Sequence, residues 1–544
     1  MGQKTSASGE KNKSRRFRFS LLSRRAIVAW IATGFILPMA YFAWHIFGWP
    51  APVRVSYETT RLTGPLSADG YVDYLKVIRD DLKQTSLHYD DHPWHVLFQD
   101  EDSRRVNGNR SGPSGARSLV YREPVEILRE ELGSEAKSIA GREALRVYEE
   151  EMLPRRRHNP YSTSEDPVAV AAIAANAYWY QAIEQSCDAA KLPVSFPQNS
   201  PSESEATAGD IGLDLHSYCS QIVDRLLLRS MNRAGDGGLV DAYADIHLIF
   251  RIARKMDGLC FVSTSCADSA ETKASRAIIV QILSSPLMTK ECCHQIESLP
   301  QESTMPEILR IVDQTERYIR LDLIQGMHLR KFSPVRFHGR LAFAKSRRFW
   351  HAVDWNRVLV ETNRVFDEQL KVLRMAGSRN QTMAAAKHRQ TLALSHEADV
   401  DPDEIPLWSA NDPTDFLIRQ LQIESSDIFD PIIMTYCRDL RRRVIQIVAR
   451  LSMSRKIHGE FPRELNSVLA IDGFSEAAPD LLIDPFSGMV LGYESSGDAF
   501  ILFSVGPNGN RDLRGIEETS VTSSRLGPVD RINDDLIWRF PFAK

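Results

Sequence analysis

Apolar residues recur at helical spacing through most of the chain. The clearest example is the segment GLVDAYADIHLIFRIARKM, which begins at Gly238 and carries apolar residues at i, i+4, i+7, i+11 and i+14. Asp245 and Arg254 lie off this face, so the pattern predicts an amphipathic helix that packs against other helices. The apolar face consists of Leu239, Tyr243, Ile246, Phe250 and Ala253.

Further helices are predicted from start signals and from the same spacing. Ser67 has the side chain of an N-cap residue and precedes ADGYVDYLKVIRDDLKQ. Asp166 followed by Pro167 opens VAVAAIAANAYWYQAIEQSC, because proline at the first helical position forfeits no hydrogen bond. Apolar periodicity predicts additional helices over residues 218–234, 274–283, 305–328, 354–375 and 428–458.

The hydrophobic period changes after Gly459. FPRELNSVL predicts a short helix, whereas VLGYES and AFILFSV predict strands joined by the compact connection SGD, and DDLIWRFP predicts another strand. Gly488 and Gly509 are expected at turn positions that require a positive φ. The sequence therefore predicts a mainly α fold, an irregular helical bundle or solenoid-like ectodomain with a small C-terminal α+β module containing an antiparallel sheet.

The N-terminal region predicts a membrane anchor. Residues 26–49 form 24 consecutive positions without Asp, Glu, Lys or Arg, which is long enough to cross a hydrocarbon core of about 30 Å. Residues 1–25 contain eight Lys or Arg against one acid, so the positive-inside rule keeps this end in the cytoplasm. We expect a single-pass protein of the inner (cell) membrane, with its C-terminal ectodomain in the periplasm or another extracytoplasmic space.

A cleaved signal peptide is the alternative interpretation of the same region. The basic n-region and the small residues near Met39 and Ala40 are typical of such a signal. The apolar run is, however, longer than a usual h-region and ends in aromatic residues, which favours a signal-anchor.

Changes of composition and periodicity divide the chain into five regions. Two long polar breaks, residues 192–210 and 376–413, interrupt the helical part. The regions are a basic cytoplasmic tail (1–25), the transmembrane helix (26–49), an N-terminal ectodomain region (50–165), a helical domain (166–440) and the α+β module (441–544).

Net charge and cysteine content narrow the functional classes. The whole chain has a formal net charge of −4, so the tail of +7 leaves −11 for the remaining residues, which argues against a nucleic-acid partner.

The seven cysteines show no zinc-ligand spacing. We expect buried thiols with one or two disulfides, and Cys260 and Cys266 are close enough in sequence to close a short loop.

The loop after the second predicted strand is a candidate calcium site. Asn508, Asn510 and Asp512 place oxygen donors at alternate positions, and Asp484 offers a further carboxylate from the same module. The pattern fails at Leu513, where a calcium loop requires glycine, and it lacks the closing glutamate. Turn chemistry is the alternative, because Asn, Asp and Gly tolerate left-handed backbone, and no other cofactor is expected.

Other candidate chemistry is weaker. The segment LHYDDHPWH brings together His88, His92 and His95, a combination that could bind a transition metal, but Pro93 disfavours a continuing helix and indicates a helix exit. G-x-S-x-G, H-E-x-x-H, Walker A and G-x-G-x-x-G motifs are all absent from the sequence. This argues against an enzyme, although acid–base pairs spread over a fold leave no local motif, and no catalytic residue is assigned.

The C-terminal region resembles pseudopilin-like modules of the type II secretion system protein G kind. The resemblance rests on IVARLSMSRKIHGEFPRELNSVL, DPFSGMVLGYESSGDAFILFSVGPNG and DDLIWRFP. It implies a helix followed by a small sheet, and a C-terminal loop that holds calcium in some members. The sequence departs from pseudopilins at the prepilin site, because Gly34 and Phe35 lie within the apolar span and Met39 stands in place of glutamate.

A wider resemblance covers residues 55–540 in patches. TTRLTGPLSADGYVDYLKVIRDDL, LLLRSMNRAGDGGLVDAYADIHLIFRIARKM and VDWNRVLVETNRVFDEQL are similar to segments of an uncharacterised family of membrane-anchored proteins in planctomycete-type bacteria. The family implies no activity. The expected function is a scaffold or protein-binding component of the cell envelope. The alternatives are an envelope hydrolase with its site in the helical region and a component of a secretion or pilus-like assembly.

Overall fold

The computed structural model is mainly helical, with a small sheet near the C-terminus. This agrees with the predicted succession of a helical period and a strand period. The residues that the structure describes are 33–37, 39–40, 52–85, 121–188, 213–257, 261–284, 288–299, 305–329, 353–375, 414–415, 417–418, 430–471, 474–477, 479–506, 516–517 and 536–540.

The helices vary from single turns to nearly thirty residues. Two π-helical segments, Tyr148–Met152 and Ile311–Glu316, each lead directly from one α-helix into the next. The α-helices are α1 (Tyr57–Thr60), α2 (Tyr74–Thr85), α3 (Pro124–Leu132), α4 (Ile139–Val147), α5 (Leu153–Arg156), α6 (Pro167–Ala175), α7 (Ala177–Asp188), α8 (Leu213–Gly235), α9 (Leu239–Met256), α10 (Phe261–Ser284), α11 (Lys290–Glu297), α12 (Met305–Arg310), α13 (Arg317–His328), α14 (Trp355–Met375) and α15 (Asp430–His458).

The main hydrophobic core lies among α8, α9, α10 and α15. Helix α10 packs against the other three, and α11 packs against α9 and α15. The predicted apolar face of α9 is confirmed, because its five residues are all buried in this core. The same hydrophobic cluster continues from Tyr121 near α3 to Trp538 in the C-terminal sheet.

A second hydrophobic cluster joins the segment 52–85 to α13 and α14. Tyr74 at the start of α2 and Trp355 at the start of α14 are both almost fully buried in it. Polar contacts reinforce this packing, since the amide of Asn363 donates to the carbonyl oxygens of Glu58 and Thr59, each at 2.9 Å. Residues far apart in sequence therefore form one packed unit.

The C-terminal sheet follows the predicted strands. Strand β1 (Gly492–Ser495) pairs antiparallel with β2 (Phe500–Ser504), and β2 pairs antiparallel with β4 (Leu536–Phe540). The two-residue strand β3 (Ile516–Glu517) adds a parallel edge to β4, which gives the order β1-β2-β4-β3. The FPRELNSVL segment contains a 3₁₀ turn, Leu465–Val468. Phe461 stacks edge-on against Phe500 of β2 and joins the sheet to the chain leaving α15.

Two helix boundaries differ from the sequence expectation. Ser67 is not an N-cap, because its backbone N–H bonds to the carbonyl of Tyr71 across a tight turn at Gly70, and the Asp-Gly turn signal outweighs the capping signal. The helix begins at Tyr74 instead. Asp73, the residue before it, accepts a hydrogen bond from the N–H of Lys76 at 2.9 Å through its side chain.

The helix predicted after Asp166 begins as expected but is interrupted. The Asp166 carboxylate accepts from the N–H of Ala169 at 2.9 Å, as an N-cap does. Asn176 then separates α6 from α7, and its side chain pairs with the backbone N–H and carbonyl of Arg122, both at 2.8 Å. The polar asparagine thus breaks the helix and holds the extended segment before α3.

The predicted membrane span lies largely outside the described residues. Residues 33–37 and 39–40 are helical. Within the part of the chain that the structure describes, no helix is both long and apolar enough to cross a bilayer.

The predicted domain boundaries remain a prediction, but the packing crosses two of them. The boundary at 440/441 falls within α15. The boundary at 165/166 would separate the segment 121–165 from later helices that belong to the same hydrophobic cluster. The segment 52–85, from the same predicted region, packs instead with α13 and α14.

Candidate functional site

The turn that opens the C-terminal sheet is held by the carboxylate of Asp484. Its Oδ1 accepts hydrogen bonds from the N–H of Phe486 (2.9 Å) and the hydroxyl of Ser504 (3.0 Å). Its Oδ2 accepts from the hydroxyl of Ser487 and the N–H of Val505, both at 3.2 Å. Burial raises the pKa of Asp484, and the four hydrogen bonds oppose this shift. The carboxylate therefore ties the DPFSG turn to the end of β2.

Gly488 has the predicted turn conformation. Its φ of +72° lies in the left-handed region, and its N–H donates to the carbonyl of Asp484 at 2.8 Å. Gly509, for which the same conformation is predicted, lies outside the described residues. The turn assignment is thus confirmed at Gly488.

The remaining predicted calcium ligands, Asn508, Asn510 and Asp512, lie outside the described residues, as do His88, His92 and His95. In the described ranges, no three His, Cys, Asp or Glu side chains are grouped so as to hold a metal ion. Asp484 already satisfies its oxygens with protein donors. The calcium site stays a prediction, and the Asp484 geometry by itself supports the alternative of turn chemistry.

We expect calcium to leave the stability of the protein unchanged. A site that binds only the folded state would stabilise it by about 2.7 kcal/mol at a hundredfold excess over Kd, but too few fixed oxygen ligands are expected here. Thermal unfolding of the full-length protein in millimolar calcium and in chelator should give the same midpoint. A shift of several degrees that disappears in Asp512→Ala would instead establish the calcium loop.

A row of arginine–carboxylate pairs crosses the interior of the main core along α15. Arg438 contacts Asp257 with both of its terminal nitrogens, at 3.0 and 3.1 Å, and lies 3.9 Å from Glu271. Arg442 binds the same Glu271 at 2.7 Å. Burial alone lowers the pKa of Arg438, but the two carboxylates outweigh it and raise this pKa above its ordinary value. The guanidinium of Arg438 therefore stays charged inside the protein.

Two further pairs on α15 continue this row. Arg441 binds Asp268 of α10 at 2.7 Å, and Arg450 binds Glu297 of α11 at 3.0 Å. Arg450 also donates to backbone carbonyls of the segment that follows α15, including that of Ser475 at 2.8 Å. The row therefore connects α10, α11 and the start of the C-terminal module to one helix.

A separate buried group joins α8, α9 and α7. Arg229 is sandwiched between Asp245 and Glu184, the latter at 2.7 Å, and its guanidinium stacks 4.1 Å from the ring centroid of Tyr180. Arg233 adds a second cation 3.1 Å from Asp245. Burial raises the pKa of Asp245 to about 6, although the two arginines act to lower it. Asp245 is only 1% exposed, so it has no access to a substrate.

A more accessible polar cluster lies where α5, α8 and α10 meet. The Asp224 carboxylate accepts from Arg157 at 3.1 Å through Oδ2 and from the ammonium of Lys273 at 2.7 Å through Oδ1. Lys273 also donates to the hydroxyl of Ser220 at 3.3 Å. The side chains of Arg157, Asp224 and Lys273 remain 20–24% exposed. One carboxylate is therefore shared by two cations at a surface open to water.

His158 lies beside this cluster. Burial, together with the positive charges of Arg276, Lys273 and Arg157, lowers the pKa of His158 to about 4 against the opposing effect of Asp224. The imidazole is thus neutral at physiological pH and can donate one hydrogen bond and accept another.

The distance between Ser220 and Lys273 resembles that of a serine–lysine catalytic dyad, but the chemistry differs. A general base requires a lone pair on the lysine nitrogen. An ammonium that donates to Asp224 at 2.7 Å has none to offer. The cluster is therefore suited to binding an anion and not to activating a hydroxyl.

The described cysteines are buried. They are Cys187, Cys219, Cys266, Cys292, Cys293 and Cys437, whereas Cys260, which could close a short loop with Cys266, lies outside the described residues. Burial, together with the neighbouring Cys266 and Cys187, raises the pKa of Cys219. A buried thiol of raised pKa is a poor nucleophile, so Cys219 contributes packing.

Comparison with known proteins adds no further assignment. No family model, curated protein or solved structure matches this chain. Its function is therefore inferred from the residues and the geometry above.

The charge clusters do not follow from the sequence patterns, although signals for them exist. Three consecutive arginines, 441–443, stand in the middle of a helical pattern, where one face of a surface helix cannot expose them all. In α9, Asp245 stands between the stripe residues Tyr243 and Ile246 in the sequence. Its carboxylate can be buried there if an arginine of another helix pairs with it. Neither signal names the partner, because the partners lie on other helices.

Proposed function

We propose that this chain is a single-pass, membrane-anchored extracytoplasmic protein that acts as a scaffold or protein-binding component of the cell envelope. Its location is supported by the uncharged run of residues 26–49 and the basic tail before it. The ectodomain that follows would present its helical bundle and C-terminal sheet to the space outside the inner membrane.

The observation that carries the scaffold role is the use of ionisable groups inside the main core. Arg438, Arg441, Arg442 and Arg450 all engage carboxylates from other helices. Groups committed to such pairs hold the helices in register and are not available to a substrate. Tyr180, Tyr243 and Cys219, whose pKa values are raised, are likewise buried in packing.

The resemblance to pseudopilin-like modules is part of this proposal. It is supported by the long helix α15, which ends at His458, followed by the DPFSG turn and the antiparallel strands β1, β2 and β4. Because the prepilin site is missing, we place the module on an anchored protein and not within a pilus. Membership of the planctomycete-type membrane-anchored family is proposed on other grounds, the three upstream segments that begin at Thr59, Leu226 and Val353.

An envelope hydrolase is the second candidate function. A hydrolase would need an accessible acid–base pair. Among the described carboxylates, Asp245 has the most strongly shifted pKa, but it is enclosed by Arg229 and Arg233 in the core. The accessible Asp224 cluster has the composition of an anion site. The described geometry therefore favours binding over hydrolysis.

Reporter fusions test the proposed topology. A reporter active only in the periplasm should work when fused after Lys544 and fail when fused at the N-terminus, because the basic tail is retained inside. A mature chain that begins near residue 41 and washes off membranes would contradict the anchor and establish the cleaved signal.

Cross-linking tests the scaffold role separately. A cross-linker that does not cross the inner membrane, applied to intact cells, should join the full-length chain to specific envelope proteins. The matched control is residues 1–52 fused to an unrelated periplasmic protein, which shares the anchor alone. Identical cross-linked products from both chains would contradict a binding role for the ectodomain.

A further inference from the structure

The polar cluster around Asp224 has more positive than negative charge. Arg157 and Lys273 are two cations that share the single carboxylate of Asp224, and His158 and Arg276 lie near them. This local excess of cations contrasts with the formal charge of −11 outside the tail. A cationic site on an acidic protein attracts anions selectively at short range.

The donors in this cluster are also incompletely used. The Nε of Arg157 is buried and has no hydrogen-bond partner among the described residues. The hydroxyl of Ser220 accepts a hydrogen bond from Lys273, which leaves its own proton available to donate. The neutral imidazole of His158 lies near these groups. Guanidinium, ammonium and hydroxyl donors are the groups that bind tetrahedral oxyanions in proteins.

From this arrangement we infer that Arg157, Lys273 and Ser220, with His158 and Arg276 beside them, form a binding site for a small oxyanion of the phosphate class. Asp224 holds the two cations in place when the site is empty and competes with the ligand for them. The site is separate from the envelope-anchoring role and does not depend on it. Its ligand is either free phosphate or the phosphoryl group of a larger molecule, which share the same recognition chemistry.

Calorimetric titration of the full-length protein with inorganic phosphate, at fixed ionic strength, tests this site. We expect one saturable site whose affinity falls about tenfold in Lys273→Met and in Arg157→Met, since each variant removes a charge-assisted hydrogen bond. Lys137→Met, which removes an exposed lysine of the segment between α3 and α4, should bind as the unaltered protein does. Fixed ionic strength keeps general screening the same in all titrations.

The Asp224→Asn variant separates ligand binding from a purely structural role. Removing the competing carboxylate should tighten phosphate binding severalfold, whereas a cluster that only joins α5, α8 and α10 would gain no affinity. A second titration with glycerol 3-phosphate identifies the source, because tighter binding than phosphate indicates a phosphoryl group on a larger molecule and weaker binding indicates free phosphate. Absence of saturable binding, equal affinity in Lys273→Met, or no gain in Asp224→Asn would overturn the inference.

Discussion

Replacing Arg438 with methionine is expected to destabilise the full-length protein by about 3–5 kcal/mol. The guanidinium is buried, and it makes a two-point contact with Asp257 at 3.0 and 3.1 Å. Methionine fills much of the volume but leaves the Asp257 carboxylate without its closest cation in a low-dielectric interior. Urea unfolding monitored by tryptophan fluorescence would measure the loss.

The matched control for this prediction is a surface arginine that also has two carboxylate partners. Arg364 of α14 bridges Glu361 and Glu368, and its side chain is 50% exposed. Arg364→Met should cost less than about 1 kcal/mol, because water replaces the lost partner. A loss in Arg438→Met no larger than that of Arg364→Met would contradict the buried pair.

A double-mutant cycle isolates the interaction itself. Asp257→Asn should also destabilise, but Arg438→Met combined with Asp257→Asn should cost clearly less than the sum of the single variants. The reason is that the double variant leaves no uncompensated charge in this pair. Additive losses would show that the two residues stabilise the fold independently.

Replacing Gly235 with alanine should destabilise the protein by about 1–3 kcal/mol through overpacking. Gly235 ends α8, and a Cβ at this position would lie closer than 3.0 Å to the backbone of Tyr161. That backbone cannot move easily, because the N–H of Tyr161 bonds to the carbonyl of Met231 and its hydroxyl donates to the carbonyl of Leu228. Thermal unfolding of the full-length protein would detect the change.

Gly238, three residues later, is the control for Gly235. A Cβ added at Gly238 would lie 3.4 Å from its nearest neighbour, the carbonyl oxygen of Arg233, and the φ of −84° is open to alanine. Gly238→Ala should change the free energy of unfolding by no more than about 0.5 kcal/mol. Equal losses in the two variants would point to chain flexibility in place of steric contact at Tyr161.

The type of each element is well predicted from the sequence, because hydrophobic periodicity depends only on residues that are neighbours in the chain. The stripe Leu239–Ala253 is buried as its spacing requires, and the strand period after Gly459 yields β1, β2 and β4. The misplaced N-cap at Ser67 shows the limit, since a nearby Asp-Gly turn competes for the same residues. The type of an element follows from its hydrophobic period. Its first residue depends on whether the capping signal or the turn signal is stronger.

Long-range pairing cannot be predicted in the same way. The helical period places Asp245 on the polar side of α9, where a charge usually faces water, but it is buried against Arg229 of the preceding helix. The candidate ligand Asp484 does lie in the C-terminal module, yet its four donors come from two separate segments that only folding brings together. Charge pairing across helices leaves no period in the sequence.

The sequence separation within the α15 charge row limits the order in which the chain can fold during its synthesis. Glu271 and its partner Arg442 are 171 residues apart, and Asp268 and Arg441 are 173 residues apart. Because synthesis proceeds from the N-terminus, α10 emerges first, with its carboxylates in water. Burying them before α15 emerges would leave charges without counter-ions, so the central core closes only after α15 is present. Completion of the bundle therefore requires the chain through the end of α15.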